Sequence, residues 1–138
     1  MANTLYNTAR ERFLLADINW DLDDIKVLLV KTSDYTFNAA DTNLTNINSA
    51  AYNFAAAQTL TTSVTTDGAA DANDVTFSAV PSGHQIGAIL IYQQLSGGTE
   101  ADTVLIAWLD TATGLPITSN GGDIIITWDN GVNRIFRL

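Results

Sequence analysis

Hydrophobic positions in this chain fall mostly in short runs with a period of two, broken by polar and glycine-rich stretches. The clearest pattern closes the sequence. Residues 123–138, DIIITWDNGVNRIFRL, carry apolar runs on both sides of Asn130-Gly131. Asn and Gly tolerate the positive φ that a tight type I′ turn demands, so the pattern predicts a terminal β-hairpin. A two-residue turn sets Ile126 opposite Ile135 and Ile125 opposite Phe136. Both faces of that pair are apolar, which places it inside a larger β assembly or under an interface.

Further strands are read from the same pattern. Ile25 to Val30 is a β-branched run. Tyr35 and Phe37 suggest a short continuation. Thr59 to Thr66, Asp74 to Val80, Gln85 to Gln94 and Thr103 to Asp110 follow, with turn residues such as Asp67-Gly68, Pro81-Ser82-Gly83 and Ser96-Gly97-Gly98 between them. Strict alternation in TVLIAWLD puts Val104, Ile106 and Trp108 on one face and Leu105, Ala107 and Leu109 on the other.

The N-terminal stretch has a different period. In residues 3–16, NTLYNTARERFLLA, Leu5, Ala9, Phe13 and Ala16 form one helical stripe with Tyr6 beside it. This predicts a helix over 3–16, capped by Asn3 or Thr4. So short a helix is marginal alone, so its stripe must pack on its own sheet or on a neighbouring subunit. Residues 38–50 read as an Asn-rich loop, and 49–57 as a short helical turn seating Tyr52 and Phe54. About seven strands without long intervening helices predict a mainly β fold. The expected architecture is an antiparallel β-sandwich or small barrel with an N-terminal α-helix, in one domain over 1–138.

Composition narrows the functional classes. The chain has 15 acidic and only 6 basic residues, for a net charge of −9. An acidic chain with no basic cluster points away from nucleic acid and anionic membrane as partners. No apolar stretch approaches the ~20 residues of a membrane-spanning helix. Met1-Ala2-Asn3 opens without the basic-then-apolar pattern of a secretion signal. Cysteine is absent, which removes disulfides, thiol catalysis and Cys-type zinc sites.

Candidate chemistry is sparse. His84 in PSGHQ has no nucleophile motif beside it, so a hydrogen-bonded or solvated histidine is favoured over a general base. Asp67, Asp71 and Asp74 form one acidic loop, and Asp21, Asp23 and Asp24 another. Ca²⁺ wants 6–8 oxygens around it. The spacing of DGAADAND lacks the alternating ligands of an EF-hand, and turn roles for these residues are favoured. Asp110, Asp123 and Asp129 begin or end strands, which is common for Asp and carries little signal for paired-carboxylate hydrolysis. Trp20, Trp108 and Trp128 would make a sugar-stacking platform if exposed, but their apolar contexts favour core or interface seats. Arg10, Arg12, Arg134 and Arg137 lie near the two ends, so converging ends would create a small positive spot. The reading is therefore non-enzymatic, with no cofactor and no metal.

The ends also carry a resemblance. MANTLYNTARERFLLADINWDLDDIKVLLV, the central DVTFSAV, and DTATGLPITSNGGDIIITWDNGVNRIFRL resemble a family of small tailed-phage structural proteins. Residues 38–70 lie outside the likeness, so a partner-specific loop is expected there. The resemblance implies a virion component, a capsid decoration (cement) protein on the outer surface of the head. Its implied partners are the major capsid protein and further copies of itself, with a homotrimer favoured and a dimer as the alternative. It brings no catalytic residues. A tail or head–tail connector component and a glycan-binding β-sandwich module are the competing readings. The expected protein interface comprises Leu5, Tyr6, Phe13, Trp20, Arg134, Phe136 and Leu138.

Overall fold

The computed structural model of the chain describes residues 3–138. Its centre is a fully antiparallel five-stranded sheet. In chain order the elements are β1 (Thr4–Leu5), α1 (Asn7–Leu14), β2 (Ile25–Val30), β3 (Gln58–Thr59), β4 (Thr62–Val64), β5 (Ala69–Ala72) and β6 (Val75–Phe77). They continue with β7 (Gln85–Ile86), β8 (Ala88–Gln94), β9 (Thr103–Leu109), β10 (Ile117–Thr118), β11 (Ile124–Ile126) and β12 (Phe136–Arg137). The central sheet runs β1-β9-β8-β2-β3, and the small sheets are β12-β5-β4, β11-β6 and β10-β7. The chain is mainly β with one short N-terminal helix, broadly a β-sandwich, as the pattern predicts.

The three long strands are apolar at nearly every position because both faces of the central sheet are covered. Ile25, Val27, Leu29, Ile89, Ile91, Val104 and Ile106 point to the first face, where Phe77, Ile86 and Ile126 from the small sheets and Trp128, just past β11, meet them. Leu28, Val30, Leu90, Tyr92 and Leu105 point to the second face. That face is closed by Tyr6 and by the segment 35–57, through Tyr35, Leu44, Ile47 and Tyr52. The Asn-rich stretch is thus a cover for the core, with 3₁₀ turns at Leu44–Asn46 and Ser49–Ala51. Asn43 caps the first through Thr45 N–H, and the Leu44 N–H donates to Thr103 Oγ1 at 2.9 Å, pinning the cover to β9.

Strand β9 departs from strict alternation. Ile91 pairs with Ala107, but Tyr92 pairs with Leu105, so β9 holds an extra residue at a β-bulge. Beyond the bulge the side chains change face. Val104, Ile106, Ala107 and Leu109 belong to the first core, and Leu105 and Trp108 to the second. The expected grouping of Trp108 with Val104 and Ile106 is therefore wrong.

Other expectations are also corrected. The terminal hairpin over 123–138 does not form. Its first arm, β11, pairs with β6, and its second, β12, pairs with β5. Neither Asn130 nor Gly131 has the positive φ of a type I′ turn; Arg134 has it instead, at φ 47°. Pairing with partners about fifty to seventy residues upstream prevails over the local turn signal. A hairpin does form where a loop was expected. β4 and β5 pair across Asp67-Gly68, with Gly68 at φ 86°. The helix is also shorter than 3–16. Thr4 and Leu5 pair with Trp108 and Ala107, and Tyr6 is extended at ψ 152°, so α1 starts at Asn7 without a side-chain cap. Asn3 instead uses its Oδ1 to accept from the N–H groups of Asp110 and Thr111.

Candidate interaction surface

The two ends of the chain pack together. α1 lies over β9 on the first face, with Ala9 buried in the core and Phe13 packed against it. Phe136 sits between Phe13, at 5.8 Å between ring centroids, and Trp20, edge-on at 5.1 Å. Trp20 Nε1–H donates to the Asp71 carbonyl at 2.9 Å, which ties this cluster to β5. Between the helix and β12 runs a seam of about 850 Å³. Ala107 and Leu109 line it from β9, and Phe13, Leu14, Phe136 and Leu138 add apolar wall. Leu14 is 89% exposed and Leu138 69%, so the seam carries apolar surface that the fold leaves in water.

The rim is basic. Arg10, Arg134 and Arg137 line the seam together with Asp129. Arg134 pairs with Asp71 at 3.3 Å and Arg137 with Asp67 at 3.5 Å. Arg10 donates to Thr4 Oγ1 at 3.1 Å. The Asp67 carboxyl is held below its ordinary range, chiefly by the Thr65 hydroxyl, with Arg137 and Arg134 adding to it. A second depression of about 800 Å³ adjoins, lined by the 65%-exposed Ile125 and sharing Leu109, Arg134 and Ile135 with the seam.

Five of the seven expected interface residues, Leu5, Phe13, Arg134, Phe136 and Leu138, line this one seam. The other two do not reach the surface. Tyr6 is fully buried on the second face, and Trp20 is buried behind Phe136. Sequence reasoning missed Leu14 because it falls off the helix's apolar stripe. Its signal was its position one turn beyond Arg10, on the same side of α1.

The remaining chemical candidates have structural roles. The His84 ring stacks on Phe54 at 4.6 Å, and its backbone N–H donates to Ser119 Oγ. Asp23 accepts from Asn19 N–H and Gln93 Nε2, and Asp74 from Trp128 N–H. Asp123 accepts from Ala79 N–H, Asp129 from Gly131 N–H, and Asp110 from Trp108 Nε1. Among the described residues no three His, Asp or Glu side chains are grouped to hold a metal ion. Trp20, Trp108 and Trp128 are all buried, so they form no sugar-stacking platform. No helix among the described residues is long and apolar enough to cross a membrane. Against known protein families and curated proteins, the chain finds no match.

Proposed function

We propose that this chain is a non-enzymatic structural protein of a tailed-phage virion, a decoration protein that binds the major capsid protein and stabilises the head from outside. The observation that carries this reading is the seam. The two terminal segments that resemble phage structural proteins pack on each other and together expose apolar surface with an arginine rim. That is the anatomy of a docking surface: an apolar centre, and a charged rim that steers and orients. A virion site repeats many times, so a self-associated decoration protein gains avidity at each one. A homotrimer at the local three-fold positions suits that arrangement.

Immunogold electron microscopy of intact virions with an antibody to this chain tests the reading. Dense label over the head is expected. Label confined to tail or neck would move the protein to the connector or tail class, and absence of label would refute the virion assignment. Light scattering tests the assembly: a monomer at high concentration, with or without shells, overturns the trimer, and a dimer replaces it with two-fold symmetry.

A further inference from the structure

We infer that the seam receives an extended acidic–apolar segment of the partner protein, added as a strand along the outer edge of β12. The inference rests on the seam being the docking surface proposed above. Two separate observations carry it. First, β12 stands at the end of its sheet, in the order β12-β5-β4, and β1 stands at the end of the central sheet. The layer over the first face is therefore interrupted beside β12, and α1 is the next element across the gap. An unpaired strand edge is a ready template for a further strand. Apolar side chains at alternate positions of that strand would rest on Ala107, Leu109 and Phe13.

Second, the rim fixes the sign of the occupant. Three of the six basic residues of this acidic chain, Arg10, Arg134 and Arg137, line the seam against one acidic side chain, Asp129. The ion pairs of Arg134 and Arg137 with Asp71 and Asp67 engage only part of each guanidinium. Arg carries five N–H donors, so each keeps capacity for a second carboxylate. Carboxylates at the intervening positions of an added strand meet these groups while the apolar positions face the floor.

The test uses the full ¹⁵N-labelled chain and two capped peptides, one alternating Asp with Val, the other Lys with Val. The Asp–Val peptide is expected to shift the amide signals of Leu5 and of Phe136 to Leu138 saturably, and to slow their hydrogen exchange. Its affinity should exceed that of the Lys–Val peptide by about tenfold or more. Leu14→Glu and Arg10→Glu, both altering exposed seam residues, should abolish that response while the other amide signals stay in place. Equal response to both peptides, no response, or shifts confined to another surface would overturn the inference. Concentration-dependent shifts of the same amides without peptide would assign the seam to a second copy of this chain and overturn it too. The readout needs no virion, so unlabelled particles in the immunogold experiment would refute the proposed function and leave the peptide result standing.

Discussion

The four tyrosines of this chain should stay protonated until the fold is lost. Tyr6, Tyr35, Tyr52 and Tyr92 all sit in the second core, between the central sheet and the segment 35–57. Burial raises every one of them above the ordinary 10.0. Tyr35 is pushed up to about 12, by burial first and by its hydrogen bond to Asp41 as well, against the opposing bond from Tyr6. Tyr92 also reaches about 12, through burial and the nearby Asp24 and Glu100. Above pH 10 the unfolded chain therefore sheds tyrosine protons that the folded chain keeps. Their contribution to stability is complete below the ordinary value and is lost as pH rises through the folded values. Each such group removes about 1.4 kcal/mol per pH unit between its unfolded and folded values, so all four together remove about 5.4 kcal/mol per unit up to about pH 12, where Tyr35 and Tyr92 would begin to ionise in the fold as well. A domain of this kind is stable by about 5–15 kcal/mol, so one of typical stability should unfold within roughly one to two units above pH 10. The assay follows tyrosinate absorbance and far-ultraviolet circular dichroism on the same alkaline titration. Absorbance should rise in one cooperative step that coincides with loss of the β signal, whereas in denaturant it should rise gradually near the ordinary value. Tyr52→Phe should lower the slope of stability against pH by about a quarter. Tyrosinate appearing near pH 10 with the β signal intact would refute the reasoning, because it would mean that the cover over the second face is open.

Replacing Phe136 by Ala removes a half-buried ring that touches both Phe13 and Trp20. Urea unfolding should show a loss of about 2–4 kcal/mol, less than for a fully buried ring of this size but increased by the two aromatic contacts. Ser119→Ala deletes a buried hydroxyl that accepts from His84 N–H and donates to the Pro81 carbonyl. Chemical denaturation should register about 1–3 kcal/mol, with faster amide exchange at His84. Asp67, held below its ordinary range, stabilises the fold above the unfolded value and loses that effect as pH falls through the folded one. Asp67→Asn should therefore flatten the acid side of the stability–pH curve, and carbon-detected titration of the wild type should place its carboxyl below that of an unfolded Asp.

Much of the central sheet was legible in the sequence. Ile25–Val30 forms a strand with the bounds its β-branched run suggests, and the runs around Ala88–Gln94 and Thr103–Leu109 are strands too. Packing on both faces makes these runs apolar, and that is a local property. Pairing is not local. The Asn130-Gly131 signal describes what the backbone would do in isolation, while the isoleucines of β11 find a better neighbour in β6. The short strand Ala69–Ala72 was hidden, because AADA carries no β-branched residue and the strand forms only between β4 and β12, while Phe136–Arg137 was legible as a strand but not as a partner of β5. The seam was half legible. Residues near both ends suggested an interface, and five of the seven, four of them apolar, line one groove. Nothing in the residue pattern separated Phe136, at the surface, from Trp20, buried directly behind it.

The bulge in β9 gives that strand one residue more than β8 matches, without altering what lies opposite on either side of it: Leu105 stays opposite Tyr92 and Trp108 opposite Leu90. Ile106 is the surplus position, with its side chain in the first core. Deleting it would restore strict alternation and leave Trp108 between Tyr35 and Phe37, with a hole in the first core as the cost. An added residue meets no such slack, because it would demand another bulge or turn Trp108 toward a first core already filled by Ile89, Leu109 and Ile126. Over evolutionary time this segment should therefore lose a residue more readily than it gains one, with insertions confined to exposed turns such as Ser96–Gly98 and Thr113–Gly114.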